Sequence, residues 1–166
     1  TDGIFLKACR ETAKKYPEIN YNEMLVDAAT AHLLKNPEQF DVIVTTNMFG
    51  DILSDLASEL SGSLGLAGSI NVGDGVPMAQ AQHGSAPDIM GKGIANPISM
   101  ILSVGMMLNW IGLKKNNDLY LRGSKYIKTA VENHFEEFQY LTPDLGGTAT
   151  TKDVTKSILD KIKLLN

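Results

Sequence analysis

"FDVIVTTNMFGDILSDLASEL", residues 40–60, passes from one periodicity to another without a break. From Val42 to Thr46 the residues are β-branched on both alternating faces, the pattern of a buried parallel strand. From Met48 onward the apolar positions recur at helical spacing; Asn47 is placed to cap that helix and Gly62 to end it. A buried strand running straight into a helix is the building unit of α/β proteins, so this stretch sets the expected fold class.

The flanking sequence continues the alternation. Asp2 is placed to cap a helix running to about Tyr16. "YNEMLVD" reads as a short strand ending at Asp27, and "AATAHLLKN" as a helix stopped at Asn36-Pro37. Beyond the glycine-rich "SGSLGLAGS", two extended pieces, "SINVG" and "VPMAQ", flank the turn Gly73-Asp74-Gly75. Pro97 opens a long apolar helix, and another helix spans about Asp118 to His134. "TPDLGG" turns the chain, and Thr150 with Asp153 has capping-box spacing at the start of the last helix.

Composition excludes several classes. The net charge is −4 and no dense basic cluster occurs, which argues against a nucleic-acid or polybasic membrane surface. Cys9 is the single cysteine, so neither an intrachain disulfide nor a cysteine-based zinc site is available. The cytosol and the mitochondrial matrix both suit such a chain. The uncharged run from Pro97 to Leu113 is interrupted by Ser99, Ser103, Gly105 and Asn109 and is short for a membrane span; it reads as a buried helix or a subunit interface. The opening residues have the pattern of neither a signal peptide nor a transit peptide.

Two groups of residues could carry chemistry. Asp51 and Asp55 lie one helical turn apart, so their carboxylates project from one face. Acids in the first turns of a helix are favoured electrostatically with no ligand at all. The sharper reading is a hard divalent cation, Mg²⁺ or Mn²⁺, which takes carboxylate oxygens and keeps positions open for a chelating substrate. Asp27, at the expected end of a strand, is either a helix cap or a third such acid. The second group is the loop "HGSAPDIMGKGIANP", residues 83–97. His83, Gly84, Ser85 and Ala86 could set backbone N–H groups and a hydroxyl beside a phosphate or ribose, because Gly84 allows close approach. Asp88 could accept hydrogen bonds from ribose hydroxyls and would repel a 2′-phosphate. The plainer alternative is a turn-rich surface loop. No Rossmann fingerprint or P-loop occurs, since "GSLGLAG" has the wrong spacing.

"NMFGDILSDLAS" at 47–58 and "HGSAPDIMGKGIANP" at 83–97, with "VDAATAHLL" at 26–34 and "TPDLGGTATT" at 142–151 in the same order, closely resemble the β-decarboxylating hydroxyacid dehydrogenases. That family includes isocitrate, 3-isopropylmalate and homoisocitrate dehydrogenases. The resemblance covers nearly the whole chain. It implies the family's α/β fold in part. Residues 1–62 would belong to the small substrate and dimerisation domain, and residues 63–166 to the large cofactor domain. It further implies that Asp27, Asp51 and Asp55 hold Mg²⁺ or Mn²⁺, the first acid from one subunit and the other two from its partner. His83, Gly84, Ser85, Ala86 and the backbone through Ile89 would line the adenosine of NAD. Asp88 would hold its ribose, and Asn96 would lie near the base.

The activity so implied is NAD- and metal-dependent oxidative decarboxylation of a 2-hydroxy diacid or triacid, in a homodimer or larger oligomer. Two departures from the family pattern matter. Gln80 stands where the isopropylmalate branch usually has Glu within "FEPVHG", which weighs against that branch. The family's substrate-binding arginines, catalytic tyrosine and lysine match nothing here, and no catalytic residue is carried over. The chain is therefore expected to be the C-terminal half of such an enzyme, to expose sheet edges and apolar faces, and to turn over no substrate alone. The competing expectation is a non-catalytic nucleotide-binding subunit or an inactive fragment.

Overall fold

The structure, a computed structural model, describes residues 2–165. It divides into two compact units, Thr1–Leu60 and Ser61–Asn166.

In the first unit the order is α1 (Asp2–Ala13), α2 (Val26–Lys35), a single 3-10 turn at Pro37–Gln39, and α3 (Asn47–Leu60). The core is small: Ala29 and Leu33 of α2 pack with Leu53 of α3, and Val26, Phe40, Leu56 and Ala57 close around them. The side chain of Asp2, expected to cap α1, lies outside the described residues. A bidentate pair from Arg10 Nε and Nη2 to the Glu23 carboxylate, 2.6 Å each, ties the segment after α1 back onto it.

Neither strand expected in this unit is present. "YNEMLVD" and "FDVIVTT" form no ladder; Val26 and Asp27 instead begin α2. Strand-like composition marks residues that suit a pleated, half-buried surface, but a strand exists only when a neighbour takes its N–H and C=O groups. No such neighbour stands beside residues 21–25 or 40–46 among the described residues, and Val42 and Val44 are 81% and 69% exposed. Asn47 also departs from expectation. The Gly50 N–H takes the Thr46 carbonyl at 2.8 Å, so α3 starts at Asn47 itself, and the Asn47 side chain donates to Asp51 Oδ2 at 3.3 Å.

The second unit is built on α4 (Ile98–Lys115), with α5 (Asp118–Glu136) and α6 (Thr151–Leu164) packed in succession. An antiparallel hairpin, β1 (Gly68–Asn71) and β2 (Met78–Ala81), pairs Gly68 with Ala81 and Asn71 with Met78 and lies on α4. The approach is close enough that a Cβ on Gly68 would stand 3.1 Å from Leu102 Cβ and 3.2 Å from Ser103 N. The serines that interrupt the apolar run of α4 take up the hairpin's backbone groups. Ser103 Oγ accepts from Ser69 N at 2.9 Å and donates to Gln80 O at 2.8 Å, and Ser99 Oγ donates to Ala67 O. Both serines are fully buried. One side of the run is thus buried while Met100, Met106 and Leu113 remain exposed, and among the described residues no helix is long and apolar enough to cross a membrane.

Gly105 and Gly112 let α5 approach α4: a Cβ on Gly112 would stand 2.6 Å from Leu121 Cδ2 and 3.1 Å from its backbone nitrogen. Asn117 Oδ1 caps α5 by accepting from Leu119 N at 3.0 Å. At the start of α6 the expected capping box is formed: the Asp153 N–H reaches Thr150 Oγ1 at 3.2 Å, and the Thr150 N–H reaches Asp153 Oδ2 at 2.9 Å. Ile98, Ala130, Val131, Val154 and Ile158 form the core between the three helices.

Candidate functional site

The three candidate metal acids all belong to the first unit, and all are exposed. Asp51 and Asp55 share one face of α3, as their spacing requires. Asp51 Oδ2 accepts from the side-chain amide of Asn47 at 3.3 Å. Asp27 lies in the first turn of α2, where Oδ1 accepts from the Ala28 N–H at 2.8 Å. Exposed carboxylates are the right chemistry for a hard, oxygen-seeking cation. The three do not converge: among the described residues no group of three metal-ligating side chains occurs. One copy of the chain supplies a pair on one helix and a separate single acid.

The candidate dinucleotide loop belongs to the second unit and has two unlike halves. Its first half, His83 to Asp88, is exposed throughout. His83 Nδ1–H donates to the Gly84 carbonyl at 2.9 Å, which fixes the ring's orientation. Ala86 sits at φ 41° and ψ 63°, in the left-handed region that residues bearing a Cβ rarely adopt. It turns the chain into a single 3-10 turn at Pro87–Ile89 that carries Asp88 outward and half-buries Ile89. Gly84 is informative: its φ is not positive, and a Cβ there would meet no atom within 4 Å. Neither backbone conformation nor packing within the chain demands glycine at this position.

The second half is fastened. Thr151, at the start of α6, donates its N–H to Gly93 O at 2.8 Å and its hydroxyl to Ala95 O at 2.5 Å. Asn96 is buried, and both ends of its amide are engaged. Nδ2 donates to Asp144 Oδ2 at 3.0 Å, and Oδ1 accepts from the Ile98 N–H at 3.0 Å, capping α4 in place of Pro97. The side chain expected near a base is therefore turned inward, and the loop presents backbone there.

Asp144 joins this cluster from the "TPDLGG" turn and was not singled out by spacing. The same oxygen, Oδ2, also accepts from Ser63 Oγ at 2.6 Å, and Ser63 Oγ in turn takes the Gly65 N–H at 3.0 Å. Burial pushes the Asp144 carboxyl up, but hydrogen bonds led by Ser63 outweigh it and hold the group below its usual range. Gly65 is needed for contact: a Cβ would stand 2.8 Å from both Asn96 Cβ and Asp144 Oδ2. The Ser63–Gly65 turn, Asn96 and Asp144 are far apart in sequence, and no local motif joins them.

Residues 1–161 match the family described as isocitrate/isopropylmalate dehydrogenase. The chain is 50% identical over 163 residues to a mitochondrial isocitrate dehydrogenase [NAD] catalytic subunit 5 of Arabidopsis thaliana, covering 98% of this chain and 42% of that protein. It is also 50% identical to a homoisocitrate dehydrogenase of Methanocaldococcus jannaschii, over 98% of this chain and 44% of that one. The crystal structure of isocitrate dehydrogenase from Methylococcus capsulatus superposes with a TM-score of 0.88 at 42% identity, over 96% of this chain and 46% of that chain. The chain thus spans just under half the length of these relatives.

Proposed function

The chain belongs to the isocitrate/isopropylmalate dehydrogenase family, and on that premise we propose that it carries part of an NAD-dependent, Mg²⁺- or Mn²⁺-dependent oxidative decarboxylase. The substrate is a 2-hydroxy diacid or triacid of the isocitrate, 3-isopropylmalate or homoisocitrate type. Residues 1–62 serve the small substrate and dimerisation domain, and residues 63–166 the large cofactor domain. The observation that carries the reading is the loop at 83–96. Its first half is exposed and holds a glycine that the chain's own packing does not call for, while its second half is pinned. Such a loop suits a ligand lying against the Gly84 backbone.

In this reading Ser85 and the backbone from His83 to Ile89 line the adenosine. The Asp88 carboxylate accepts hydrogen bonds from the ribose hydroxyls and repels a 2′-phosphate, which selects NAD over NADP. At Asn96 the base meets backbone, since the side-chain amide is already engaged. Asp27, Asp51 and Asp55 hold the divalent cation. They do not converge within one chain, so the reading calls for a pair of subunits, one giving Asp27 and its partner giving Asp51 and Asp55. The cation, when bound, supplies positive charge where the substrate's oxygen becomes negative during oxidation and loss of CO₂. The task of the α3 acids is to orient it with two carboxylates on one face, whose mutual repulsion it offsets.

The test is NAD reduction with a panel of 2-hydroxy diacids and triacids and Mg²⁺, using the polypeptide as its natural source makes it. At least one acid should be oxidised, and Asp51→Asn should lower metal-dependent turnover on the order of 100-fold. A full-length Asp51→Asn enzyme that keeps its activity, or no turnover with any acid, sinks the reading. A nucleotide-binding subunit without chemistry would bind NAD and reduce none.

A further inference from the structure

We propose that Asp144 is the positioning residue of the adenosine loop, holding the backbone around Ala95 and Asn96 in the one arrangement that can receive the base. The inference rests on the reading of residues 83–96 as the adenosine site. Its evidence is the pattern of partners. Asp144 Oδ2 collects Asn96 Nδ2 at 3.0 Å and Ser63 Oγ at 2.6 Å. One oxygen thus joins the end of the loop to the segment leading into the hairpin.

Asn96 can be held this way only because Gly65 leaves room: any side chain there would occupy the space between Asn96 and Asp144. The other end of the Asn96 amide fixes the first N–H of α4, so a rotation of this side chain would break a helix cap as well as the link to Asp144. Thr151 holds the neighbouring carbonyls of Gly93 and Ala95. With its side chain turned inward, Asn96 offers the ligand only main-chain groups, and their direction is set by what the side chain grips. A charged acceptor is the strongest available grip, since hydrogen bonds to a carboxylate are about twice as strong as neutral ones.

The assignment separates two kinds of residue around one ligand. Asp88 would touch the ribose, whereas Asp144 would act through Asn96. Loss of Asp144 should therefore weaken the adenosine half of NAD and spare the metal acids, which belong to the other unit.

The experiment measures binding of AMP, as the probe of the adenosine half, and of Mn²⁺, as the probe of the acids, in the natural full-length polypeptide and its Asp144→Asn variant. Steady-state KM for NAD and kcat are measured beside them. The expected result is an AMP dissociation constant raised at least tenfold, with KM for NAD raised in parallel. Mn²⁺ affinity should be unchanged and kcat at saturating NAD should fall far less than KM rises. An AMP affinity unchanged in a folded Asp144→Asn protein overturns the inference and leaves the proposed function standing. Failure of the unsubstituted protein to bind AMP or NAD overturns the proposed function itself. Should Asp144→Asn not fold, Ser63→Ala removes one of the two side-chain donors and is read instead: a threefold or larger loss of AMP affinity supports the inference, and no change overturns it.

Discussion

The two units of this chain bury their apolar residues to different degrees. In residues 61–166 a continuous core runs through three helices, with Ile98, Val154 and Ile158 each 1% exposed. Among the described residues of the first unit only Ala29, Leu33 and Leu53 are buried apolar residues, at 8%, 6% and 6%, while Leu25, Val42 and Val44 stand 76%, 81% and 69% exposed. Composition alone does not explain the contrast, because Val42, Ile43 and Val44 are as apolar as residues buried in the second unit. The connections do. In the second unit α4 meets α5 across the short turn at Asn116 and Asn117, and the two hairpin strands pair with each other. Such local contacts need nothing else to form. The run at 40–46 has no pairing strand among the described residues. An apolar run of this kind contributes stability only once another layer covers it.

The largest expected effect tests how tightly the second unit is built. A Cβ on Gly147 would stand 1.9 Å from the Leu141 carbonyl oxygen, inside a turn whose Gly147 N–H and Ala149 N–H reach back to Thr142 and Leu141. The obstacle is backbone, which cannot rotate away. Gly147→Ala should cost about 3 kcal/mol or more, read as a shift of the urea midpoint followed by Trp110, the chain's single tryptophan. A shift worth less than about 1 kcal/mol would mean the turn is far more pliant than its hydrogen bonds imply.

A matched pair of truncations sharpens the contrast between the units. Ile158→Ala removes a side chain from the closed core and should cost about 3 kcal/mol. Val44→Ala removes one that is 69% exposed and should cost no more than about 0.5 kcal/mol. The first is followed by Trp110 fluorescence and the second by native-state hydrogen exchange in α2 and α3. Equal losses would break the comparison, because they would mean that the run at 40–46 is covered when the protein is in solution.

How much could be read from the residues follows the same division. Helices were legible wherever apolar spacing and capping chemistry agreed, as at Thr150 and Asp153, whose box is present in full. So were the two extended pieces of the hairpin, and the reading of the apolar run as a helix of the fold, because Ser99, Ser103, Gly105 and Asn109 interrupt it and it is short for a membrane span. The two expected strands failed because periodicity reports a residue's preference and not the presence of a partner. In the site, Asp51 and Asp55 were legible because helical spacing alone puts them on one face. That residues 83–88 form an exposed loop was legible from Gly84 and Pro87. The cluster of Ser63, Gly65, Asn96 and Asp144 was not: three segments distant in sequence meet there, and nothing in any one of them names the others.

The smallest effect concerns acidity and again separates the units. The second unit's core holds an ionisable group, His134, 2% exposed between α5 and α6, whereas no ionisable side chain is among the buried residues described in the first. His134 Nδ1 pairs with Ser157 Oγ at 2.9 Å, and Nε2 makes no hydrogen bond of ordinary geometry. Burial pushes the imidazole pKa down and the Lys161 ammonium adds to this, while the Tyr140 backbone and the Glu137 carboxylate offset part of it. A histidine whose folded pKa lies below its unfolded value of 6.5 binds fewer protons when folded. Its neutral form therefore favours folding fully above that pH, and the stability is lost as pH falls from 6.5 toward the depressed folded value. The Asp144 carboxyl, also lowered, has the same sign, but its contribution is lost only as pH falls below its ordinary value of 3.8. Between pH 7.5 and 5 the Trp110-monitored midpoint should thus decline with the histidine's slope, and His134→Gln should flatten that slope whatever it does to the midpoint itself. A slope unchanged in His134→Gln would place the acid sensitivity elsewhere and remove this difference between the two units.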